Sequence, residues 1–187
     1  MSTNLNPNTL MPKKVIYILL LVLSGMNLSA QQTVKLKDGK EYKATPVWDF
    51  ICDDYALTGK VQTQIAKTEK GGLLKIGVQV TNDSFYIGGT VYIYLEDNSF
   101  ITCTDKGLRE HTDAMTYAYY TFTPAEITKL RKSPIKDLRF SVKGSQSAFS
   151  SQTGFFTATN RQSYFELYDK SVKNIFETNK EVSQLYN

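Results

Sequence analysis

Histidine is nearly missing from this sequence: His111 is the only one in 187 residues, and tryptophan likewise occurs once, at Trp48. A single histidine confines any Ser-His-Asp or Cys-His site to one position. His111 lies between Glu110 and Asp113 in a charged stretch, where a solvated ring is the ordinary outcome. Cysteine is scarce as well. Cys52 and Cys103 are widely spaced, and with one histidine they supply no zinc-ligand pair. No Gly-Lys-Ser/Thr run is present, so Gly71-Gly72 and Gly88-Gly89 do not read as phosphate loops. An excess of one charge is also lacking. The 22 basic and 18 acidic residues give a net charge of +4, with no basic stripe to follow a nucleic-acid backbone. The inventory thus points away from metal, nucleotide, triad and nucleic-acid chemistry, and no cofactor is expected.

Long apolar runs are missing too. Val15 to Leu23 (VIYILLLVL) carries no charge, but it is far shorter than the ~20 residues of a membrane-spanning helix. Lys13 and Lys14 precede it, and Ser24-Gly25 and Leu28-Ser29-Ala30-Gln31 follow. This is the order of a secretory signal: positive region, apolar region, cleavage region. The expectation is a signal peptide over residues 1–30, cut after Ala30 or Gln31. Met11 is an alternative start, because the ten residues before it are polar. No cysteine follows the apolar run, which disfavours a lipid anchor. The exported chain would be periplasmic, displayed at the cell surface or secreted, with no transmembrane segment in its mature part. Residues 31–187 then form a single domain large enough to bury a core. Without Lys13 and Lys14 that domain holds 20 basic and 18 acidic residues, a net charge of +2. In such a compartment disulfides persist. A Cys52–Cys103 bridge would close a long loop and contribute about 4 kcal/mol; the alternative is a pair of buried free thiols packing as small apolar residues.

What is present is a period of two. Leu74, Ile76, Val78 and Val80 alternate with Lys75, Gly77 and Gln79. Val91, Ile93 and Leu95 alternate with Tyr92 and Tyr94, and Leu138, Phe140 and Val142 with Arg139, Ser141 and Lys143. These are half-buried antiparallel strands. Asp38-Gly39 and Gly71-Gly72 mark hairpins, and Asp97-Asn98 separates Phe85–Leu95 from Phe100–Thr104. Gly88-Gly89 suggests a bulge or strand break. The fold class is mainly β, an antiparallel β-sandwich or curled sheet, with two helices. Thr123-Pro124-Ala125-Glu126 is a capping box with proline at N1, opening a short helix at about 124–132 that ends before Pro134. Ser163 and Glu166 form a second box. Phe165, Tyr168, Val172, Ile175, Phe176 and Val182 follow helical spacing, predicting a C-terminal amphipathic helix at about 164–184. Ser145–Gly154 and Asp105–Ala114 read as loops.

Aromatic residues are plentiful, with 12 tyrosines and 10 phenylalanines. Tyr92 and Tyr94 share one strand face, Tyr117 and Tyr119 another, and Trp48 is close to Phe50. With Trp48, these four tyrosines are the candidate ligand-binding residues, able to stack on sugar rings or receive a protein. The competing reading makes them a second packed face, covered by the C-terminal helix or another sheet. Asp49, Asp53 and Asp54 invite a carboxylate site, and Asp97, Asn98 and Asp105 a calcium site. Turn chemistry explains both groups better, so no catalytic or metal-binding residue is assigned.

Four segments carry a resemblance: ALTGKVQTQIAKT (56–68), GGTVYIYLEDNSFITCTDKG (88–107), YYTFTPAEITKLRKSPIKDLRFSV (119–142) and FFTATN (155–160). Through them the chain resembles small uncharacterised exported β-rich proteins of Bacteroidota-type bacteria. The resemblance implies an exported β-rich fold and brings no activity or functional residue. The expected function is therefore a non-catalytic binding module of the cell envelope, for another envelope protein or a surface component. A carbohydrate- or small-ligand-binding module is the alternative, and a secreted hydrolase using Asp53, Asp54, Asp105 or His111 the third.

Overall fold

A computed structural model describes residues 32–55, 57–145, 152–167 and 174–187, all within the compact unit Gln31–Asn187. The expected signal peptide lies outside the described residues, as do 146–151 of the Ser145–Gly154 loop and 168–173 of the expected terminal helix.

Among the described residues, twelve strands form one antiparallel sheet. They are β1 (Gln32–Lys35), β2 (Glu41–Ala44), β3 (Trp48–Ile51), β4 (Lys60–Thr68), β5 (Gly71–Gln79) and β6 (Tyr86–Ile87). The series continues with β7 (Val91–Leu95), β8 (Phe100–Cys103), β9 (Arg109–Thr112), β10 (Met115–Phe122), β11 (Ile135–Lys143) and β12 (Gly154–Thr159). Their spatial order is β8-β7-β11-β12-β3-β4-β5-β10-β9, with β2 also pairing β4 and β6 also pairing β11. The sheet curls strongly into a half-barrel. Val61, Ile65, Leu74, Ile76, Val91, Ile93, Leu138 and Phe140 point into its concave side and are fully buried. This is the period-two pattern of the sequence made physical: one parity inside, the other outside.

Helix α1 (Pro124–Lys132) carries the expected capping box. Thr123 Oγ1 accepts from the Glu126 amide at 3.3 Å, and Glu126 Oε2 accepts from the Thr123 amide at 2.7 Å. Its Ile127 and Leu130 enter the core. The β4–β5 hairpin turns at Glu69 and Lys70, between the paired Thr68 and Gly71, rather than on the glycines. Gly71 and Gly72 instead permit close approach. A Cβ on Gly71, whose φ is +141°, would stand 2.0 Å from the Phe122 carbonyl oxygen, and one on Gly72 would stand 2.6 Å from Ile127 Cδ1.

Two other expectations are redrawn. Within the expected 105–114 loop, Arg109–Thr112 is an edge strand on β10; half-exposed along its length, it has no buried parity to show in sequence. At the C-terminus, Tyr164–Leu167 forms a 3₁₀ turn, residues 174–177 are not helical, and helix α2 spans only Thr178–Leu185. Asn160 accounts for the interruption. Its buried amide donates to the Ile135 and Phe176 carbonyls at 2.7 and 3.0 Å, and its Oδ1 accepts from the Phe176 amide at 2.9 Å. The two bonds to Phe176 occupy backbone groups a helix would need. Phe176 is thereby held on Phe50, ring centroids 6.0 Å apart.

Candidate functional site

The convex side of the sheet has two halves. Over β4, β5 and β10 the outward residues include Ala66, Leu73, Tyr117 and Tyr119. The β1–β2 hairpin covers them, placing Val34 and Ala44 against Ala66, Leu73 and Tyr119 to form a small second core. The Asp38-Gly39 turn closes this hairpin, with Gly39 at φ +84°. Tyr119 is 4% exposed, and its hydroxyl donates to Glu110 Oε2 at 2.6 Å. Burial, then the Glu110 hydrogen bond, raises the Tyr119 pKa above its usual value. Tyr117 is half-buried under the Lys75 ammonium, 4.1 Å from its ring centroid. Trp48 is 1% exposed on the concave side, its indole N–H donating to Glu181 Oε2 of α2 at 2.8 Å. Trp48, Tyr117 and Tyr119 are therefore packing residues, and the expected five-ring ligand set is not brought together.

Among the described residues, no segment covers the other half in this way. The register aligns Thr102, Tyr92, Arg139 and Thr157 in one row across β8, β7, β11 and β12, and Phe100, Tyr94, Asp137 and Thr159 in the next. Phe155 follows on β12, 76% exposed; Phe100 is 56% and Tyr92 39% exposed. A shallow depression of about 310 Å³ is lined by Thr90, Tyr92, Tyr94, Arg139, Phe140 and Phe155. The Arg139 guanidinium lies 6.0 Å from the Phe155 ring centroid. Among the described residues, Arg139 makes no ion pair, and the Tyr92 and Tyr94 hydroxyls make no hydrogen bond. Asp137 accepts from the Thr159 hydroxyl at 2.8 Å. Phe100, Arg139 and Phe155 carry no signal in the sequence that marks them as site residues. Their parity matches that of Tyr92 and Tyr94, but pairing partners across a sheet are not readable from single strands.

The remaining candidates stand apart from this face. Asp105 Oδ2 accepts from the Gly89 amide at 2.7 Å and from Arg109, and its Oδ1 accepts from the Gly107 amide at 2.8 Å. Burial pushes the Asp105 pKa up, but the two amides and then Arg109 outweigh it and hold the carboxyl below its usual range. This knot fixes the break at Gly88-Gly89 between β6 and β7, where Gly89 takes φ +84°. Asp97 Oδ1 accepts from the Ser99 amide at 2.9 Å and Asn98 takes φ +65°, the turn chemistry expected of a hairpin. Asp49 pairs with Lys60 at 3.6 Å, and Asp53 and Asp54 are exposed in the turn after β3. His111 is not the solvated ring expected: its side chain is 28% exposed, and its buried Nε2, 3.1 Å from Asp83, makes no hydrogen bond among the described residues. Among the described residues, no group of three or more His, Cys, Asp or Glu is placed to hold a metal ion, and no helix is long and apolar enough to cross a membrane. Cys52 and Cys103 are buried free thiols. Burial and then Asp54 push Cys52 to about 12, and burial and then Glu126 push Cys103 to about 12.

Comparison with protein-family models, with curated proteins and with solved structures returns no match to this chain.

Proposed function

We propose that the chain is an exported, non-catalytic binding module of the cell envelope that takes its partner on the bare half of the convex face. Export rests on the order of residues 13–31, and the resemblance to exported Bacteroidota-type proteins belongs to the same proposal. The observation that carries the binding reading is the exposure of Tyr92, Tyr94, Phe100 and Phe155 on one continuous face, beside a half where equivalent rings are covered. Solvent-facing aromatic residues gathered around unpaired polar groups are typical of binding surfaces. A hydrolase is less well supported: Asp105 is engaged in its knot, while Asp53 and Asp54 stand in an exposed turn.

The test compares two baits on native envelope extract: the Gln31–Asn187 unit, and the same unit carrying Tyr92→Ser and Phe155→Ser. The expected result is one component retained by the first bait and lost with the second. Identical capture by both baits would remove this face from the account.

A further inference from the structure

Resting on that reading, we infer that the depression between Tyr92, Tyr94, Arg139 and Phe155 binds a sugar bearing a carboxylate, a uronic-acid residue of an acidic glycan. The argument is one of complementary chemistry. The Arg139 guanidinium offers a planar fork of N–H donors that matches a carboxylate in bidentate fashion, and no side chain among the described residues neutralises it. Phe155 stands on one side of it, and Tyr92 is its register partner on the other. Both rings are exposed, offering apolar faces to the C–H groups of a pyranose. The Tyr92 and Tyr94 hydroxyls, without hydrogen-bond partners among the described residues, and Thr90 at the rim supply the donors and acceptors that sugar hydroxyls require.

Charge selects among anions. One guanidinium balances one carboxylate, whereas a phosphate monoester carries ≈ −1.5 to −2 at neutral pH. Asp137, two residues along the same face, repels either anion, and the more highly charged phosphate more strongly. It instead suits the neutral, hydroxyl-bearing part of a sugar. The depression, about 310 Å³, is at the small end of ligand sites, in keeping with one or two sugar residues rather than a long chain.

The experiment is an NMR titration of the Gln31–Asn187 unit, which contains the whole described core. The probes are tetragalacturonate, a glucuronate-containing tetrasaccharide and neutral galactotetraose. The expected result is saturable shifts at Arg139, Tyr92, Tyr94 and Phe155 with an acidic probe. Affinity should be roughly tenfold or more weaker for the neutral probe and for Arg139→Gln, with Arg139→Lys in between. Since Arg139 is exposed, its variants should keep the wild-type urea midpoint, which separates lost binding from lost folding. Equal affinity for acidic and neutral probes, insensitivity to Arg139→Gln, or no binding of either acidic probe overturns the inference. If the acidic probes fail while capture of an envelope component still depends on Tyr92 and Phe155, only the sugar assignment falls. If capture is also independent of those rings, the binding face falls with it.

Discussion

Two halves of one convex face carry similar residues and meet different fates. Over β4, β5 and β10, Tyr117 and Tyr119 lie beneath the β1–β2 hairpin; over β8, β7, β11 and β12, Tyr92, Tyr94, Phe100 and Phe155 have no such cover among the described residues. The difference does not come from the strands themselves, since both halves alternate with period two and both have a filled concave side. It comes from a separate segment, residues 32–44, that folds onto one half. An aromatic row on a strand therefore marks a surface that can be buried. What lies over it decides whether the row is core or is left for a partner.

Substitutions can break or sharpen this comparison. The largest effect is expected from Tyr119→Ala, which empties the second core and should cost about 3 kcal/mol in urea unfolding. A cost below about 1 kcal/mol would mean that the hairpin does not seal that half. Val34→Asp places a carboxylate in the same cluster and should cost about 2 kcal/mol. It should also raise the solvent quenching of tyrosine fluorescence, whereas unchanged quenching would show the cover still seated. Tyr119→Phe keeps the ring and removes only the hydrogen bond to Glu110, for about 1 kcal/mol. On the bare half, Phe155→Ser and Tyr92→Ser should each move stability by about 0.5 kcal/mol or less. A larger loss would show these rings to be structural.

The smallest expected effect is chemical. Cys103 lies on the inner side of β8, under the bare half, and Cys52 follows β3. With both thiols buried and pushed to about 12, almost no thiolate is present at pH 8. Iodoacetamide should label neither in the folded protein and both in urea without reductant. Labelling of native Cys103 would mean that the bare half is loosely packed from beneath as well as uncovered above.

The local features were legible in the sequence. Alternation gave the strand faces around Tyr92 and Arg139, Thr123 and Glu126 gave α1, and Asp97-Asn98 gave the β7–β8 turn, because each rests on neighbours in the chain. Features made by distant residues were not. The terminal helix is shorter than its apolar spacing predicts because Asn160, outside the helical pattern, takes the Phe176 backbone groups. Gly71 and Gly72 looked like a turn because close approach to Phe122 and Ile127 leaves no trace in their own segment. The candidate site was half legible for the same reason. Tyr92 and Tyr94 could be grouped by parity, but their separation from Tyr117 and Tyr119 depends on where the hairpin lands, and the arrival of Phe100, Arg139 and Phe155 depends on strand order.

Hydroxyl-radical footprinting of the Gln31–Asn187 unit, alone and in native envelope extract, tests the contrast between the halves most directly. Alone, Tyr92, Tyr94, Phe100 and Phe155 should be modified readily while Tyr119 and Tyr120 resist; in extract, protection should appear at the first four rings. Modification of Tyr119 in the free protein, or protection in extract that spares Tyr92 and Phe155, would contradict the account.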